Sequence, residues 1–499
     1  MTTDETTATA VTPAGNPRQK IKVGEKIAFC VGEIFGGGGV VLLDAFFFTY
    51  ATLIVGIDPA LVGVIGMIAR FWDAFTDPLM GTISDNTRTK IGRRRPYILA
   101  SAGLVIVGLV LLFMPVMNLS SGGKVAYLIA MYLLYGTIST VFNVPYLSLT
   151  SEISENVKER SNMNMVRLIV AAVAGAVCFL VPDTLIGQMN SGKINATQLC
   201  FIVSIGFGIF FGIPTLCTGL FTKERTPLPD AKAKFSFKNF TNTFKLKCFR
   251  RLLGMYVFSF TCNAILSNLL IIYCYNVTGG QELRLMGFRL ATLVYIVMLV
   301  AAGIMMPIVM IMLNKKVPKP VIYMLGIPMF VVGGITFAAF PSASNPYLLL
   351  LPAAVAGIGF GLVQSIPWLT FPDVVDVAEL KSNDRNPGAY NGTMTFFKKF
   401  ASGIAVFLIG VSLKGAGYDS LLGTKQLQPP EALTGMRLII GISVPVLLML
   451  GLVSAYLIKI TTRKSERVRY FIDKQRAGEL DSLPDEEKSE LDKLAKELF

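Results

Sequence analysis

The sequence predicts an all-α membrane protein with twelve transmembrane helices, and three observations support that prediction. Of its 499 residues, 53% are hydrophobic and only 16% are charged, with a mean hydropathy of +0.59, whereas soluble proteins carry roughly 25% charged residues. Apolar runs near the ~20 residues that cross a bilayer as a helix recur along the whole chain. Lysine and arginine concentrate in alternate connections between these runs.

The apolar runs fall into two sets of six, separated by a long basic connection. This 6+6 order favours two helical bundles with a site between them near the membrane midplane, as in secondary transporters. We expect a disordered cytoplasmic tail over 1–22, a first bundle over 23–221, a central cytoplasmic loop over 222–250, a second bundle over 251–460 and a solvated, helical cytoplasmic tail over 461–499. The twelve spans are predicted near residues 26–55, 61–83, 97–117, 124–149, 162–182, 199–221, 251–276, 286–313, 321–340, 346–370, 388–412 and 434–460.

The distribution of basic residues also predicts the orientation in the membrane. The connections after spans 2, 6 and 8 are rich in lysine and arginine, whereas those after spans 1 and 3 carry only Asp58 and Lys124 as charges. The positive-inside rule therefore places the basic connections and both termini in the cytoplasm. We expect a monomer that crosses the cell (inner) membrane many times.

The composition argues against a nucleic-acid-binding protein, a metal centre and an enzyme. The net charge is +14, but the basic residues lie in short connections where membrane topology explains them. The chain has no histidine, and its seven cysteines lack paired CxxC spacing, which is typical of small buried hydrophobes. No nucleophile–base pair is apparent, so the expected partners are a small-molecule substrate, a coupling cation and the lipid bilayer, with no bound cofactor.

Span 2 carries charges where a membrane helix should be apolar, in the stretch RFWDAFTDPLMGTISDNTRTKIGRRRP at 70–96. Asp73 and Asp77 are four residues apart and share one helix face. Because a charge at the bilayer centre costs at least ~2.5–3.5 kcal/mol, such groups are candidates for function. Two carboxylates can bind Na⁺ or share a proton, and Arg70 on the same side can hold one of them. The alternative is a structural ion pair to a neighbouring helix.

Span 1 carries two further acids, Glu33 and Asp44, which are eleven residues apart and therefore share a face. Asp44 is expected deeper in the membrane, either as a charge partner or as a cap for a bend below the glycine run at 36–39. That run weakens the helix but also lets another backbone approach closely.

Spans 4 and 5 add polar groups. Thr140 and Asn143 share one face of span 4, where their oxygens can complete a cation shell or hydrogen-bond a sugar hydroxyl. Arg167 of span 5 stands among apolar residues. Its guanidinium can bridge substrate hydroxyls or pair with a carboxylate of span 1, although an arginine at a loop end is an equal alternative.

Span 11 contains two adjacent lysines that point about 100° apart, so only one can face the site. We expect Lys398 to point inward and neutralise the carboxylates of span 2 when no cation is bound. Lys399 is then expected to reach the membrane surface.

Three motifs in order resemble the glycoside–pentoside–hexuronide:cation symporters of the major facilitator superfamily, a family that includes the melibiose permease. They are the stretch at 70–96, VPYLSLTSEISENVKERSNMNMVRLI at 144–169, and IPWLTFPDVVDVAELK at 366–381 together with YNGTMTFFKKFASG at 390–403. The resemblance covers residues 22–460. It implies the major facilitator fold and alternating access, with Na⁺, Li⁺ or H⁺ driving sugar uptake.

The resemblance also implies roles for individual residues. Asp73 and Asp77 match the family's cation-binding carboxylates, and Thr140 matches a hydroxyl of the cation shell. Arg167 and Lys398 match the family's arginine of span 5 and lysine of span 11.

A further stretch, PDVVDVAELK at 372–381, is similar to the family's cytoplasmic gate. Its three acids are expected to pair in one state with the basic residues of the first bundle. A solvated charge run is the alternative. The acids are Asp373, Asp376 and Glu379, and the basic partners are Arg93, Arg94, Arg95, Lys158 and Arg160.

The chain departs from the melibiose branch where that branch binds sugar. An aspartate of span 4 is replaced by Asn143, and the sugar-binding aspartate of span 1 falls on Gly37. The two tryptophans of that branch fall on Leu147 and near Gln364, and Trp368 is a candidate to take over stacking. The substrate is therefore expected to be another glycoside, a uronide or a less sugar-like molecule.

Two other functions compete with sugar symport. WDAFTDPL at 72–79 and KFASG at 399–403 also resemble the animal lysolipid symporters of the same superfamily. A non-transporting sugar sensor, signalling through the tail from residue 464, is the second alternative. The sequence does not distinguish Na⁺ from H⁺ as the coupling ion.

Overall fold

The computed structural model describes residues 21–153, 157–224, 241–278, 284–285, 288–341, 345–382, 387–419, 422, 427–480 and 483–499. Most of the predicted N-terminal tail and of the central loop lies outside this part of the chain. The side chains of Lys158 and Arg160, two of the expected gate partners, also lie outside it.

The prediction of twelve transmembrane helices is confirmed, because twelve helices in the described ranges are long and apolar enough to cross a membrane. Two further helices follow them in the tail. The helices are α1 (Val23–Ile54), α2 (Pro59–Asn86), α3 (Arg95–Leu112), α4 (Ser121–Glu152), α5 (Val157–Asn190), α6 (Ala196–Phe221), α7 (Lys247–Val277), α8 (Leu290–Asn314), α9 (Lys319–Ala338), α10 (Leu350–Ser382), α11 (Pro387–Gly415), α12 (Pro430–Leu457), α13 (Thr462–Arg476) and α14 (Asp485–Leu498). A short hairpin pairs Arg284–Leu285 (β1) with Phe288–Arg289 (β2).

Several helices begin at residues that satisfy the free backbone N–H groups of a first turn. Asp58 accepts a hydrogen bond from the backbone N–H of Ala60 at 2.9 Å, and Pro59 occupies the first position of α2. Asn195 and Gln198 form a reciprocal capping box at the start of α6. These caps fix where α2 and α6 enter the first bundle.

Helix α1 is not a regular rod. It is interrupted at Gly32 and widens into π-helical turns at Leu43–Phe47 and Tyr50–Ile54. Its glycine run packs on α5, where a Cβ atom at Gly37 would lie 2.8 Å from the Cβ of Ala171. The expected close backbone approach is therefore present between α1 and α5.

The two bundles meet most closely where α2 crosses α11. A Cβ atom at Gly63 would lie 2.9 Å from both the Cα of Phe407 and the carbonyl oxygen of Val406. A Cβ atom at Gly403 would lie 3.0 Å from the Cβ of Arg70. Small residues thus bring the backbones of α2 and α11 together, as they do between other membrane helices.

The tail is packed on one side rather than fully solvated as expected. Val468, Phe471 and Ile472 of α13 are buried, as are Leu494 and Leu498 of α14. We call the end of the bundles that carries α13 and α14 the tail end, and the opposite end the far end.

Candidate substrate and cation site

Two carboxylates of α2 form the centre of the candidate site. The Nζ of Lys399 lies 2.6 Å from Oδ2 of Asp77 and 3.5 Å from Oδ2 of Asp73. The hydroxyl of Thr140 in α4 donates to Oδ1 of Asp77 at 2.8 Å. Oδ1 of Asp73 is buried and has no hydrogen-bond partner among the described residues. Carboxylate and hydroxyl oxygens are the ligands that a small hard cation prefers, so this group fits Na⁺ as well as a proton.

The expectation that Lys398 neutralises the carboxylates is wrong, because Lys399 contacts them. The ammonium of Lys398 instead lies 4.7 Å from the ring centroid of Phe260 in α7. The reason is the crossing of α2 and α11. Gly403 contacts α2, and Lys399, one turn earlier, shares that face.

Arg70 does not hold the carboxylates of its own helix. It forms an ion pair with Asp44, which lies in the π-helical turn of α1 below the glycine run. This pair is partly buried and lines a cavity of about 10 Å³, room for about one water molecule. Asp44 and Arg70 are thus charge partners that join α1 to α2.

A second charged pair lies beside the glycine run. The Nε of Arg167 is 3.6 Å from Oε2 of Glu33, so the guanidinium pairs with a carboxylate of α1. Asn143 donates to the hydroxyl of Ser139 at 3.0 Å and faces Gly36, on the same side as Glu33. Asn143 therefore lies with the Glu33–Arg167 pair, whereas Thr140 binds Asp77.

Three positions proposed for substrate contact have different surroundings. Gly37 packs against Ala171, so its role is helix contact. Gln364 is buried and donates to the carbonyl oxygen of Ser259 in α7 at 3.0 Å. Trp368, one turn further along α10, remains 44% exposed and meets Tyr256 edge-to-face at 5.3 Å. Of the three, only Trp368 offers a free surface.

The arginine cluster is anchored within the first bundle. The carboxylate of Glu224 accepts the backbone N–H groups of Arg93 and Arg94 at 2.9 and 2.8 Å. The side chain of Arg94 pairs with Asp85, and Nε of Arg95 donates to the carbonyl oxygen of Gly219 at 2.9 Å. These contacts tie the start of α3 to α2 and α6.

The structure brings to the α10 acids basic residues that the sequence analysis did not name. Lys319 of α9 lies 2.5 Å from Oδ2 of Asp373. Two arginines of α13 reach the other acids: Nε of Arg469 lies 3.0 Å from Oδ2 of Asp376, and Nε of Arg476 lies 2.9 Å from Oε1 of Glu379. Lys319, Arg469 and Arg476 thus join these acids to the second bundle and its tail.

A family model described as MFS/sugar transport protein matches residues 29–462. The chain belongs to this family. The resemblance to the symporters of the major facilitator superfamily is thereby confirmed.

The names of similar proteins refer to different transported substrates. The isoprimeverose transporter of Lactiplantibacillus pentosus is 23% identical over 79% of this chain and 80% of its own length. Sodium-dependent lysophosphatidylcholine symporter 1 of Mus musculus is 25% identical over 87% of this chain and 85% of its own. The uncharacterized symporter YjmB of Bacillus subtilis is 25% identical over 90% and 95%.

Solved structures agree on the fold. The crystal structure of PepTSo2 superimposes with a TM-score of 0.62, at 11% identity, over 87% of this chain and 97% of that one. At this identity the likeness supports the fold alone, which is two six-helix bundles.

Sequence reasoning missed an ion pair that joins the symporter's two bundles at the far end. Nη1 of Arg289, just before α8, lies 2.7 Å from Oδ1 of Asp183 in α5. The hydroxyl of Thr292 donates to the other carboxylate oxygen at 2.6 Å. All three side chains are buried. The available signal was an acid beside Pro182 in an apolar run, one residue past the predicted end of span 5.

Proposed function

We propose that this symporter couples the entry of Na⁺ or H⁺ to the uptake of a glycoside by alternating access. Both termini and the tail end then face the cytoplasm of a cell whose membrane holds the protein. The observation that supports the coupling is the Asp73–Asp77 pair. It is neutralised by Lys399 and holds one buried oxygen that has no hydrogen-bond partner in the described part of the chain.

The charges suggest how coupling works. A buried pair of carboxylates needs a positive charge in every state of the cycle, because leaving it uncompensated is costly. In the described conformation Lys399 supplies that charge. An arriving cation replaces the ammonium at the carboxylates, and the two ways of neutralising the pair distinguish the loaded from the empty carrier.

The substrate is proposed to bind between Glu33–Arg167 and Trp368. A carboxylate and a guanidinium match the hydroxyl groups of a sugar, and the half-exposed indole of Trp368 offers an apolar face for a ring. The named sugar relative supports this cargo. Lys398, whose ammonium lies over the ring of Phe260, is also proposed to contact the substrate.

Uptake into proteoliposomes tests this proposal. Labelled glycosides are offered under an inward Na⁺ gradient or an inward pH gradient, imposed separately. Accumulation of one sugar under one gradient would support symport and identify the ion. Wild-type accumulation by the Asp73→Asn variant would contradict the cation site.

A lysolipid is the second candidate substrate. It is favoured by exposed apolar side chains near the site and by the similarity to lysophosphatidylcholine symporters. Phe75 of α2 and Leu147 of α4 are more than half exposed, and Leu147 shares the helix face of Asn143. Including labelled lysophosphatidylcholine in the same uptake panel separates the two cargoes. Its accumulation without that of any sugar would replace the glycoside proposal.

A further inference from the structure

The last turns of α10 carry three carboxylates that require positive charge nearby. Asp373, Asp376 and Glu379 recur every three residues, so they lie along one side of the helix. All three are buried. They stand near the C-terminal end of α10, where the helix dipole already adds negative potential. The cations that pair with these carboxylates therefore stabilise the structure at the tail end.

The tail supplies two of these cations. Arg469 contacts Asp376 at 3.0 Å and also lies 3.8 Å from Asp373, while Arg476 contacts Glu379. The arginines are seven residues apart and so lie on one face of α13. Helix α13 thus presents a matched pair of guanidinium groups to the acids of α10.

The two tail helices are folded against the second bundle, and this packing fixes the positions of Arg469 and Arg476. The buried side chains of α13 and α14 belong to the same hydrophobic core as the second bundle, and the two helices contact α10 and α7 respectively. Nε of Arg467 donates to Oε1 of Glu490 at 2.9 Å, and Lys464 pairs with Glu497, which fastens the two tail helices to each other. The described tail contacts to the bundles reach α7 and α10.

Occupation of the α10 acids has a consequence for alternating access. Closing the tail end brings the first bundle, with its arginines at the start of α3, toward the second. A carboxylate already paired with a guanidinium gains little from another, so the tail competes with any new contact across the cleft. We propose that the tail helices α13 and α14 are a latch that holds the symporter in the described conformation by occupying Asp376 and Glu379. This inference rests on the alternating-access part of the proposed function.

The latch is tested by measuring the distance between the bundles at the tail end. Spin labels at Lys90→Cys and Lys315→Cys, both exposed, report that distance in a Cys217→Ser background, because the other six cysteines are buried. The variant Arg469→Gln/Arg476→Gln should raise the population in which the two bundles are closed at the tail end. The expected increase is about two- to tenfold, as for the loss of two partly exposed ion pairs. An unchanged distance distribution would overturn the proposal.

Two controls separate the latch from general disruption of the tail. Arg467→Gln removes the same charge from α13 but breaks a contact inside the tail, so it should leave the distribution unchanged. A shift as large as that of the double variant would overturn the latch. Arg469→Lys/Arg476→Lys retains both charges and should behave like the parent. If it instead matches the glutamine variant, charge pairing is not the cause. The measurement needs no substrate, so failure to find a transported glycoside would not affect it.

Discussion

At the scale of the residue, the two lysines of α11 offer a direct comparison. Lys399→Gln leaves Asp73 and Asp77 without the ammonium that neutralises them, and removing one partner of a buried ion pair costs about 3–5 kcal/mol. We expect a lower unfolding temperature and loss of accumulation. Added coupling cation should restore part of the stability, since it supplies the missing charge. Thermal unfolding with and without Na⁺ checks this.

Lys398→Gln is the matched control, because it removes the same charge from the adjacent position. Its ammonium contacts an aromatic ring rather than the carboxylates. We expect a smaller loss of stability and no enhanced stabilisation by the cation. Equal behaviour of the two variants would contradict the assignment of Lys399 to the carboxylate pair.

Gly136 of α4 gives a second prediction for a single residue. A Cβ atom there would lie 2.5 Å from Oδ1 of Asp73, the buried oxygen to which no described residue donates a hydrogen bond. Overpacking costs about 1–3 kcal/mol, so Gly136→Ala should displace this oxygen and weaken the apparent affinity for the coupling cation about tenfold. Cation-dependent uptake measures the effect.

Gly122 lies on the same helix, and a Cβ atom there would have no described atom within 4 Å. Gly122→Ala should therefore leave cation dependence unchanged. A comparable loss in both variants would point to α4 itself rather than to Asp73.

At the scale of the helix, the sequence predicts the positions of the helices better than it predicts which side chains of different helices meet. An acid in an apolar run is visible locally, which is why Asp73 and Asp77 stood out. Which of two adjacent lysines faces them depends on how α11 crosses α2, and the contact of Gly403 with Arg70 decides it. Such a crossing joins residues more than 300 positions apart, beyond the reach of a periodicity argument.

The end of a helix is also difficult to predict from local sequence alone. Pro182 suggests the end of span 5, since proline disfavours the interior of a helix. Helix α5 continues through it to Asn190. Asp183 is therefore inside the helix and buried rather than in a connection. The tail is a similar case, because its mixed charges indicate a solvated surface while its apolar face packs on the second bundle.

The crossing of α2 and α11 yields a prediction about this pair of helices. Gly63→Ala places a methyl group about 2.9 Å from the backbone of α11, whereas the methyl group of Gly103→Ala in α3 meets none of the described residues within 4 Å. We expect Gly63→Ala to separate the helices at the far end and lower stability by about 1–3 kcal/mol. Thermal unfolding measures it. An unaltered midpoint for Gly63→Ala would mean that the crossing is looser than the structure indicates.

At the scale of the whole molecule, the described contacts between the bundles are distributed unevenly. The buried group of Asp183, Arg289 and Thr292 closes the far end, and the exposed pair of Asp58 and Lys414 lies there too. At the tail end, Arg95 of α3 donates to the carbonyl oxygen of Gly219 in α6, and Asp376 of α10 pairs with Arg469 of the tail. The conformation is therefore one in which the far end is held shut.

This asymmetry predicts the effect of neutralising the buried acid. Asp183→Asn keeps the shape of the side chain but leaves the guanidinium of Arg289 buried without its counter-charge, a loss of about 3–5 kcal/mol. Opening the far end returns Arg289 to water, so the variant should shift the population toward the far-open state by tenfold or more. Spin-label distances across the far end measure the shift.

Lys414→Gln is the control, because it breaks an exposed ion pair at the same end that is worth about 0–1 kcal/mol. It should hardly change the equilibrium between the closed and the far-open state. If the two variants shift it alike, the buried group is not what holds the far end closed.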